Sequence, residues 1–218
     1  MAALSAHAGP RPKQGDMTCP SCSTPPNRLP TNVFDSTTSR SSVSRSSKPQ
    51  WPKLAEIVDR LLEALQDGEV EFVIVGGMAS VLHGSTYVTR DLDICIPLGA
   101  PSFLRLQSAL SHLNPRVRAE SGYLPLNLSA EKAASLKNLY LYTDEGRLDC
   151  LGQVLAIGNY SEALAVSETI SLGGRDVRIL GLDALIRAKE AMGRPHDLET
   201  VVQLKVLREL RNVPPGQE

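Results

Sequence analysis

Three aspartates of this chain, Asp91, Asp93 and Asp149, have the spacing and surroundings best suited to chemistry. In a β-strand, positions i and i+2 point to the same face. We therefore expect Asp91 and Asp93 on one face of a strand, with Leu92 and Ile94 on the opposite face. Carboxylates held together on a rigid face are suited to binding a divalent metal ion.

Asp149 turns this pattern into a specific prediction. An isolated Asp-x-Asp is common on solvated surfaces, so Asp91 and Asp93 alone are a weak signal. Asp149 lies in the mostly apolar run Gly146–Leu151, where burying a carboxylate is costly unless it binds a partner. With water and phosphate oxygens, three carboxylates complete the oxygen shell that Mg²⁺ favours. We predict that all three are catalytic and bind metal, with two Mg²⁺ ions supporting an in-line displacement at phosphorus.

A glycine pair precedes the first two aspartates. Gly76-Gly77 follows the apolar run Phe72–Val75, which predicts a strand, and leads into a short predicted helix, Met78–His83. Glycines let backbone N–H groups approach a phosphate closely, and a helix N-terminus favours anions. We predict that the pair binds nucleotide phosphates, with a hydroxyl contact from Ser80 or Ser85. The combined pattern indicates a site for magnesium and a nucleoside triphosphate.

The elements that must position these residues follow from periodicity and turn signals. An amphipathic helix is predicted from Trp51-Pro52 to Asp67-Gly68. The further predicted elements are strand Leu92–Ile96, helix Pro101–Leu113, hairpins Leu139–Thr143/Arg147–Leu151 and Thr169–Leu172/Val177–Leu180, and helices Leu182–Met192 and about Asp197–Leu210. Strands mixed with helices and followed by helices predict an α+β or α/β three-layer fold, a mixed sheet flanked by helices.

Composition narrows the class of protein. The chain has 218 residues, 42% of them hydrophobic, and a net charge of −1. The near-neutral charge gives no global signature of nucleic-acid or membrane binding, although local basic patches stay open. No apolar run approaches the ~20 residues that span a bilayer, and no secretory signal peptide is evident. We expect a soluble, cytoplasmic protein without a membrane partner.

The two ends of the chain lack core-forming patterns. Residues 1–50 are rich in Ser, Thr and Pro, and we predict a disordered tail, which is either a contact arm or the product of an early assigned start. Its Cys19-Pro-Ser-Cys22 pair is an isolated half-site, more often chance than zinc. Cys95 and Cys150 are expected as small core residues. The catalytic domain is placed at 51–212, followed by a polar tail at 213–218.

The run from Gly76 to Asp93, with Gly77 and Thr89 at their positions in it, resembles the signature of the polymerase-beta-like nucleotidyltransferase superfamily. Within that superfamily it resembles the small bacterial abortive-infection and toxin-type group. The resemblance covers about Glu71 to Leu210. It implies that the two glycines hold the nucleotide phosphates, that Asp91 and Asp93 bind magnesium, and that Asp149 is the later strand aspartate.

The C-terminal part carries the resemblance further and also departs from it. The group commonly has a lysine and then Arg-x-x-Asp before a final helix, matched here by Lys189, Arg194 and Asp197. This implies a phosphate contact for Lys189; Asp197 either orients Lys189 or is a plain helix N-cap. Tyr87 stands where many members have arginine, and His196 where lysine or arginine is usual. Both departures leave the base preference and the second-substrate contacts open.

The leading hypothesis is a magnesium-dependent nucleotidyltransferase that moves a nucleoside monophosphate from an NTP to a hydroxyl. The acceptor stays open among a tRNA end, a protein hydroxyl, a small-molecule hydroxyl and another nucleotide, with Tyr123, Tyr140, Tyr142 and Arg147 as candidate lining residues. A toxin–antitoxin or phage-defence role, with a partner protein, follows from the resemblance. The alternative is a non-catalytic nucleotide-binding or antitoxin-like module of the same fold. A small-molecule phosphotransferase is a third hypothesis.

Overall fold

A computed structural model describes the backbone of residues 51–212 and the side chains from residue 59 onward. The seven helices in this range are α1 (Trp51–Asp67), α2 (Gly76–Leu82), α3 (Ala100–Ala109), α4 (Ala130–Ser135), α5 (Tyr160–Ala165), α6 (Leu182–Met192) and α7 (Pro195–Asn212). The expectations for residues 1–50, including Cys19 and Cys22, and for 213–218 lie outside the described residues. No helix within 51–212 is long and apolar enough to cross a membrane.

Ten strands are formed by the described residues. They are β1 (Val73–Ile74), β2 (Asp91–Cys95), β3 (Arg116–Ala119), β4 (Gly122–Pro125), β5 (Asn138–Thr143), β6 (Gly146–Leu151), β7 (Gln153–Val154), β8 (Gly158–Asn159), β9 (Ser167–Leu172) and β10 (Arg175–Leu180). Eight of them build one mixed sheet in the order β4-β3-β5-β6-β2-β1-β10-β9, while β7 and β8 pair separately.

The register of the sheet determines which side chains share a face. β2 pairs in parallel with β6, so that Asp93 lies beside Asp149 and Asp91 lies beside Arg147. β5 pairs antiparallel with β6, which places Tyr140 beside Asp149. Side chains that are directly paired across a ladder lie on the same face of a sheet. The aspartates therefore share one face, as the sequence predicts.

The opposite face of the sheet is apolar and covered by helices. Leu92 and Ile94 are buried, as are Leu141 and Leu148 on the neighbouring strands. Helices α1 and α3 contribute the buried Leu61, Leu65, Phe103 and Leu106 to the same core. Burial of this apolar surface is the main favourable term in the fold, since each fully buried Leu or Phe contributes about 1.5–3 kcal/mol. This core holds β2 and β6 rigid beneath the aspartates.

Helices also cover the carboxylate face, but only in part. α2 packs on β2 and contacts α6, and α6 packs along α7. Over β5, β3 and β4 the same face is open, with Tyr140 51% and Tyr123 54% exposed. A mixed sheet with helices on both sides confirms the predicted α+β fold class.

Several local differences from the sequence predictions have physical reasons. Helix Pro101–Leu113 is divided, because α3 ends at Ala109 and a short 3₁₀ helix, Ser111–Leu113, follows. Asn114 ends that turn in the left-handed region with φ 49°, a conformation that asparagine tolerates. The β3–β4 hairpin, α4, α5 and the β7–β8 pair were not predicted, because their sequences are short and lack a clear apolar period.

Candidate active site

Asp91, Asp93 and Asp149 meet where β2 and β6 run side by side. Asp149 is buried, whereas Asp93 and Asp91 are half-buried at the edge of the covered region. The three carboxylates are close enough that the charges of Asp149 and Asp91 both raise the pKa of Asp93. The sequence therefore identified a set of residues that the fold brings together, although their chemical roles stay predictions.

Arg147 is the cation that this carboxylate cluster holds. Its guanidinium lies 3.2 Å from Asp91 and 2.9 Å from Asp149. The hydrogen bond to Asp149 and the two negative charges raise the pKa of Arg147. Sequence reasoning placed Arg147 only in a candidate acceptor pocket. The available signal was its position two residues before Asp149 on the same strand, which puts both side chains on one face.

Asp93 is the most perturbed carboxyl of the cluster. Burial, together with repulsion from Asp149 and Asp91, raises the pKa of Asp93 to about 6. A hydrogen bond from the Gly77 N–H at 3.2 Å and the charge of Lys189 act in the opposite direction. Clustered carboxylates with a raised pKa are a frequent feature of functional sites. Because repulsion between like charges is relieved by a cation, the cluster is arranged to attract one.

The residues present fit a divalent metal in their donor chemistry, but not yet in their arrangement. Asp149 Oδ1 is buried and has no hydrogen-bond partner, so one carboxylate oxygen is left to accept a ligand. Within residues 51–212, however, no three His, Cys, Asp or Glu side chains are arranged to hold a metal ion. The guanidinium of Arg147 draws Asp91 and Asp149 toward itself. Metal binding would therefore require Arg147 to leave the two carboxylates.

The glycine pair packs closely on β2. A Cβ on Gly76, whose φ is +61°, would overlap the carboxylate of Asp93, and a Cβ on Gly77 would lie 2.7 Å from Thr89 Oγ1. Thr89 in turn accepts from Asp91 N–H at 3.5 Å and donates to the Asp91 carbonyl at 3.2 Å. The pair stands inside the first turn of α2 and not before the helix. The absence of side chains at Gly76 and Gly77 allows α2 to lie close to the aspartates.

Ser80 is buried and hydrogen-bonded within α2. It is 2% exposed, and its hydroxyl donates to the Gly76 carbonyl at 3.1 Å. Ser85, the alternative, is also buried and donates to Gln203 at 2.9 Å. Both hydroxyls are therefore used inside the protein, one within α2 and the other between the loop after α2 and α7.

Lys189 extends the site from β2 to the C-terminal helices. Lys189 is 5% exposed, and its ammonium lies 3.2 Å from Asp197, which also accepts a hydrogen bond from Arg194. Burial alone would raise the pKa of Asp197, but the hydrogen bonds from Arg194 and Lys189 lower it. Because α7 begins at Pro195, Asp197 lies inside the helix, and the plain N-cap interpretation is wrong. Its carboxylate contacts Lys189 and Arg194 instead. Lys189 and Arg194 both interact electrostatically with Asp93.

The two departures from the family pattern, Tyr87 and His196, contact each other. Their rings meet edge to face with centroids 5.2 Å apart, and the Tyr87 hydroxyl donates to Glu199 at 2.9 Å. An aromatic pair thus joins the loop after α2 to the start of α7.

Comparisons with known proteins agree with the fold. No family model matches the sequence, and no curated protein matches it significantly. Among solved structures, the lincosamide antibiotic adenylyltransferase LnuA, with lincomycin bound, is 15% identical, covers 70% of this chain and 96% of its own, and superposes with a TM-score of 0.50.

Two further solved structures match this chain at lower TM-scores. ANT(2″)-Ia, in complex with adenylyl-2″-tobramycin, is 18% identical, with 72% of this chain and 95% of that chain covered and a TM-score of 0.44. An antigenic nucleotidyltransferase-like protein from Paracoccidioides brasiliensis is 17% identical, with 72% and 77% covered and a TM-score of 0.48. At 15% identity, the likeness to LnuA concerns the fold alone.

Proposed function

We propose that this protein is a magnesium-dependent nucleotidyltransferase that transfers a nucleoside monophosphate from an NTP to a hydroxyl. The observation that carries the proposal is the meeting of Asp91, Asp93 and Asp149 on one face of paired strands, in a fold of the nucleotidyltransferase type. The buried Asp149 oxygen without a hydrogen-bond partner supports the same interpretation. Bound Mg²⁺ would neutralise the triphosphate and lower the pKa of the attacking hydroxyl.

In this reaction the acceptor oxygen forms a bond to the α-phosphorus, and the bond from that phosphorus to the bridging oxygen breaks. Pyrophosphate leaves with the bonding electron pair. Asp149 lies on β6, beside Asp93 and next to the open part of the face. We propose that it accepts the proton of the acceptor hydroxyl. Asp91 and Asp93 would be the remaining metal ligands. All three carboxylates stand on strands held by the apolar core, so they are preorganised.

Lys189 and the glycine pair have proposed roles toward the triphosphate. Lys189 is fixed by Asp197 near Asp93, where its charge can compensate phosphate oxygens. The N–H of Gly77 donates to Asp93 in the free protein, so phosphate binding by Gly76-Gly77 requires that bond to be exchanged. Thr89 supports the approach of Gly77 to β2. Because its hydroxyl is buried, Ser80 supports the turn and is not proposed to contact the nucleotide.

The acceptor and the biological role are separate parts of the proposal. LnuA was solved with lincomycin and ANT(2″)-Ia with an adenylylated tobramycin, so small-molecule hydroxyls are one acceptor class within this architecture. A tRNA end or a protein hydroxyl requires the same phosphorus chemistry. The toxin–antitoxin role, with its partner protein, follows from the sequence resemblance and stays a prediction.

A non-catalytic nucleotide-binding module is the second candidate, and the position of Arg147 favours it. The guanidinium of Arg147 already neutralises the charges of Asp91 and Asp149. This arrangement would suit a protein that binds a nucleotide but does not catalyse its reaction with metal. Such a module would bind nucleotide without releasing pyrophosphate. The unpaired oxygen of Asp149 argues for the enzyme, because the guanidinium leaves that oxygen unsatisfied.

Incubation with each α-labelled NTP and Mg²⁺ tests the proposal. The protein is supplied with total RNA, with cell lysate or with neither, and products are separated on a gel. We expect label to move to one class of molecule, and we expect Asp91→Asn and Asp93→Asn to remove it. Nucleotide binding without any transfer would favour the non-catalytic module, and transfer that survives both substitutions would contradict the proposed site.

A further inference from the structure

The open half of the carboxylate face is built from tyrosines and arginines. From the carboxylates outward, Tyr140 pairs with Asp149 across β5 and β6, and Tyr142 pairs with Arg147. On β3 and β4, Arg118 pairs with Tyr123. Arg116 of β3 pairs with Tyr142 of β5, which in turn pairs with Arg147 of β6. All these side chains therefore lie on the carboxylate face. The face is thus continuous from the candidate active site to the edge of the sheet.

Two of the tyrosine rings are in contact, and a guanidinium lies beside one of them. Tyr123 and Tyr142 meet at 65° with centroids 4.6 Å apart, and the guanidinium of Arg147 lies 5.7 Å from the centroid of the Tyr142 ring. Tyr123 and Tyr140 nevertheless stay 54% and 51% exposed. No helix of the described range covers them. Large aromatic side chains left open on a rigid sheet offer planar surfaces to a ligand.

The outer strands of this face carry one cation without a carboxylate partner in the described part of the chain, Arg118. Among the strand residues that share this face on β3, β4 and β5, none is acidic, and the exposed Arg118 has no carboxylate within 4.0 Å in the described part of the chain. Arg147 and Arg116 are each paired with carboxylates, so on these strands Arg118 is the cation that can contact a phosphate.

The dimensions suit an extended ligand. Strands lie about 4.8 Å apart, so the face runs roughly 14 Å from β6 to β4. The cavity of about 730 Å³ lies elsewhere and is formed by Leu98, Lys137 and the turn after β6. Small-molecule acceptors are usually enclosed in a pocket. An open face of this length suits a chain of stacked units.

We propose that this aromatic–arginine face binds the end of a single-stranded nucleic acid, whose unpaired bases stack on Tyr140, Tyr142 and Tyr123 while Arg118 contacts phosphate. Stacking on aromatic side chains combined with cationic contacts is the general chemistry of single-strand binding. The terminal hydroxyl of such a strand would lie next to Asp149. This inference rests on the proposed nucleotidyl transfer for its purpose, but binding can be measured without transfer.

Fluorescence anisotropy with labelled 12-nucleotide RNA and DNA single strands and the matching duplex, in EDTA and without NTP, tests the inference. We expect either single strand to bind more tightly than the duplex. Whichever of the RNA and DNA strands binds more tightly identifies the type of nucleic acid that the face prefers. Tyr140→Ala should weaken binding roughly tenfold, in line with the stacking of one base. Arg118→Ala should weaken it several-fold and reduce its salt dependence. Tyr140→Phe should retain binding, and Arg178→Ala, on β10 at the other end of the sheet, is the control.

Equal binding of duplex and single strand, no binding at all, or unchanged affinity in a folded Tyr140→Ala variant would overturn the inference. Thermal melting of each variant verifies folding, and Tyr123→Ala, at an exposed edge position, provides a second test should Tyr140→Ala fail to fold. Single-strand binding without nucleotide transfer would support this face while contradicting the proposed enzyme. Transfer to a small molecule by a protein that binds no single strand would do the reverse.

Discussion

Arg147 and Asp149, two residues apart on β6, form a 2.9 Å ion pair in the centre of the candidate active site. The same guanidinium reaches Asp91 on the neighbouring strand at 3.2 Å. A permanent protein cation thus stands where an exchangeable metal cation is proposed to act. The free protein is stabilised by this arrangement, and metal binding has to displace it.

Arg147→Leu is therefore expected to change stability and metal affinity in opposite directions. Without metal, three carboxylates would be left facing each other, at a cost of about 1–2 kcal/mol, less than for a fully buried pair because Arg147 is 38% exposed. The affinity for Mn²⁺, measured by calorimetry, should rise several-fold. Arg116→Leu removes a similar 2.9 Å pair, with Asp144 of the β5–β6 turn, and is the matched control. Unchanged or weaker Mn²⁺ binding in Arg147→Leu would contradict displacement.

The Lys189–Asp197 pair is expected to be essential to the C-terminal half of the site. Asp197→Asn would leave the ammonium of Lys189, a residue that is 5% exposed, without its carboxylate partner, at a cost of about 3 kcal/mol in the free energy of unfolding measured with urea. Glu190→Gln breaks an exposed pair with Lys205 between the same two helices and should cost at most about 0.5 kcal/mol. If the two variants were equally stable, the buried pair would not have the importance assigned to it.

Gly76→Ala tests the close approach of α2 to Asp93. The added Cβ would overlap the Asp93 carboxylate at a position with φ +61°. We expect a loss of about 2–4 kcal/mol from backbone strain and overpacking together. Gly174→Ala has a comparable φ of +80° but nothing within 4 Å of its Cβ, so it should show the strain alone, about 1–2 kcal/mol. A difference near zero in thermal or urea unfolding would mean that α2 shifts freely.

His83 is expected to make stability depend on pH. Burial, with help from the charge of Arg211, lowers its pKa from 6.5 despite the opposing hydrogen bond to Leu180 and the charge of Glu168. Arg211 donates to Nδ1 at 3.0 Å, and Nε2 lies 2.8 Å from the Leu180 carbonyl, an arrangement that suits the neutral ring. Below 6.5 the unfolded chain therefore binds more protons than the folded one, so stability is full above that pH and falls as pH decreases.

Urea unfolding between pH 7 and pH 5 measures this effect. His83→Gln should flatten the dependence, whereas His112→Gln, at an exposed position in the 3₁₀ helix, should keep it. The same slope in wild type and His83→Gln would show that other groups govern stability in this range.

The carboxylate cluster could be predicted from sequence because it depends on short-range rules. The alternation of a strand places Asp91 and Asp93 together, and the apolar run around Asp149 indicates a second buried strand. That β2 and β6 are neighbours could only be assumed, because parallel pairing joins residues more than fifty positions apart along the chain. The fold class followed from the order of the elements.

The environment of each site residue was less accessible to sequence reasoning. Which cation approaches Asp149 depends on side-chain packing, and Arg147 was assigned to the acceptor side. In the sequence, Ser80 follows the glycine pair closely enough to suggest a contact with the nucleotide. In the structure its hydroxyl donates to the Gly76 carbonyl, one turn earlier in α2. The β3–β4 hairpin, which carries Tyr123, has Leu124 49% exposed and so lacks the inward apolar period that identifies a strand.

Release of pyrophosphate is the most direct test of the central claim, because it requires both the metal site and chemistry at the α-phosphorus. The rate would be measured for wild type, Asp149→Asn and Asp144→Asn with Mg²⁺, each NTP, and total RNA or lysate as the acceptor source. Asp144, in the β5–β6 turn, is 50% exposed and serves as the control. The expected result is a release that Asp144→Asn retains and Asp149→Asn reduces to background. Equal release by both variants would contradict the proposed active site.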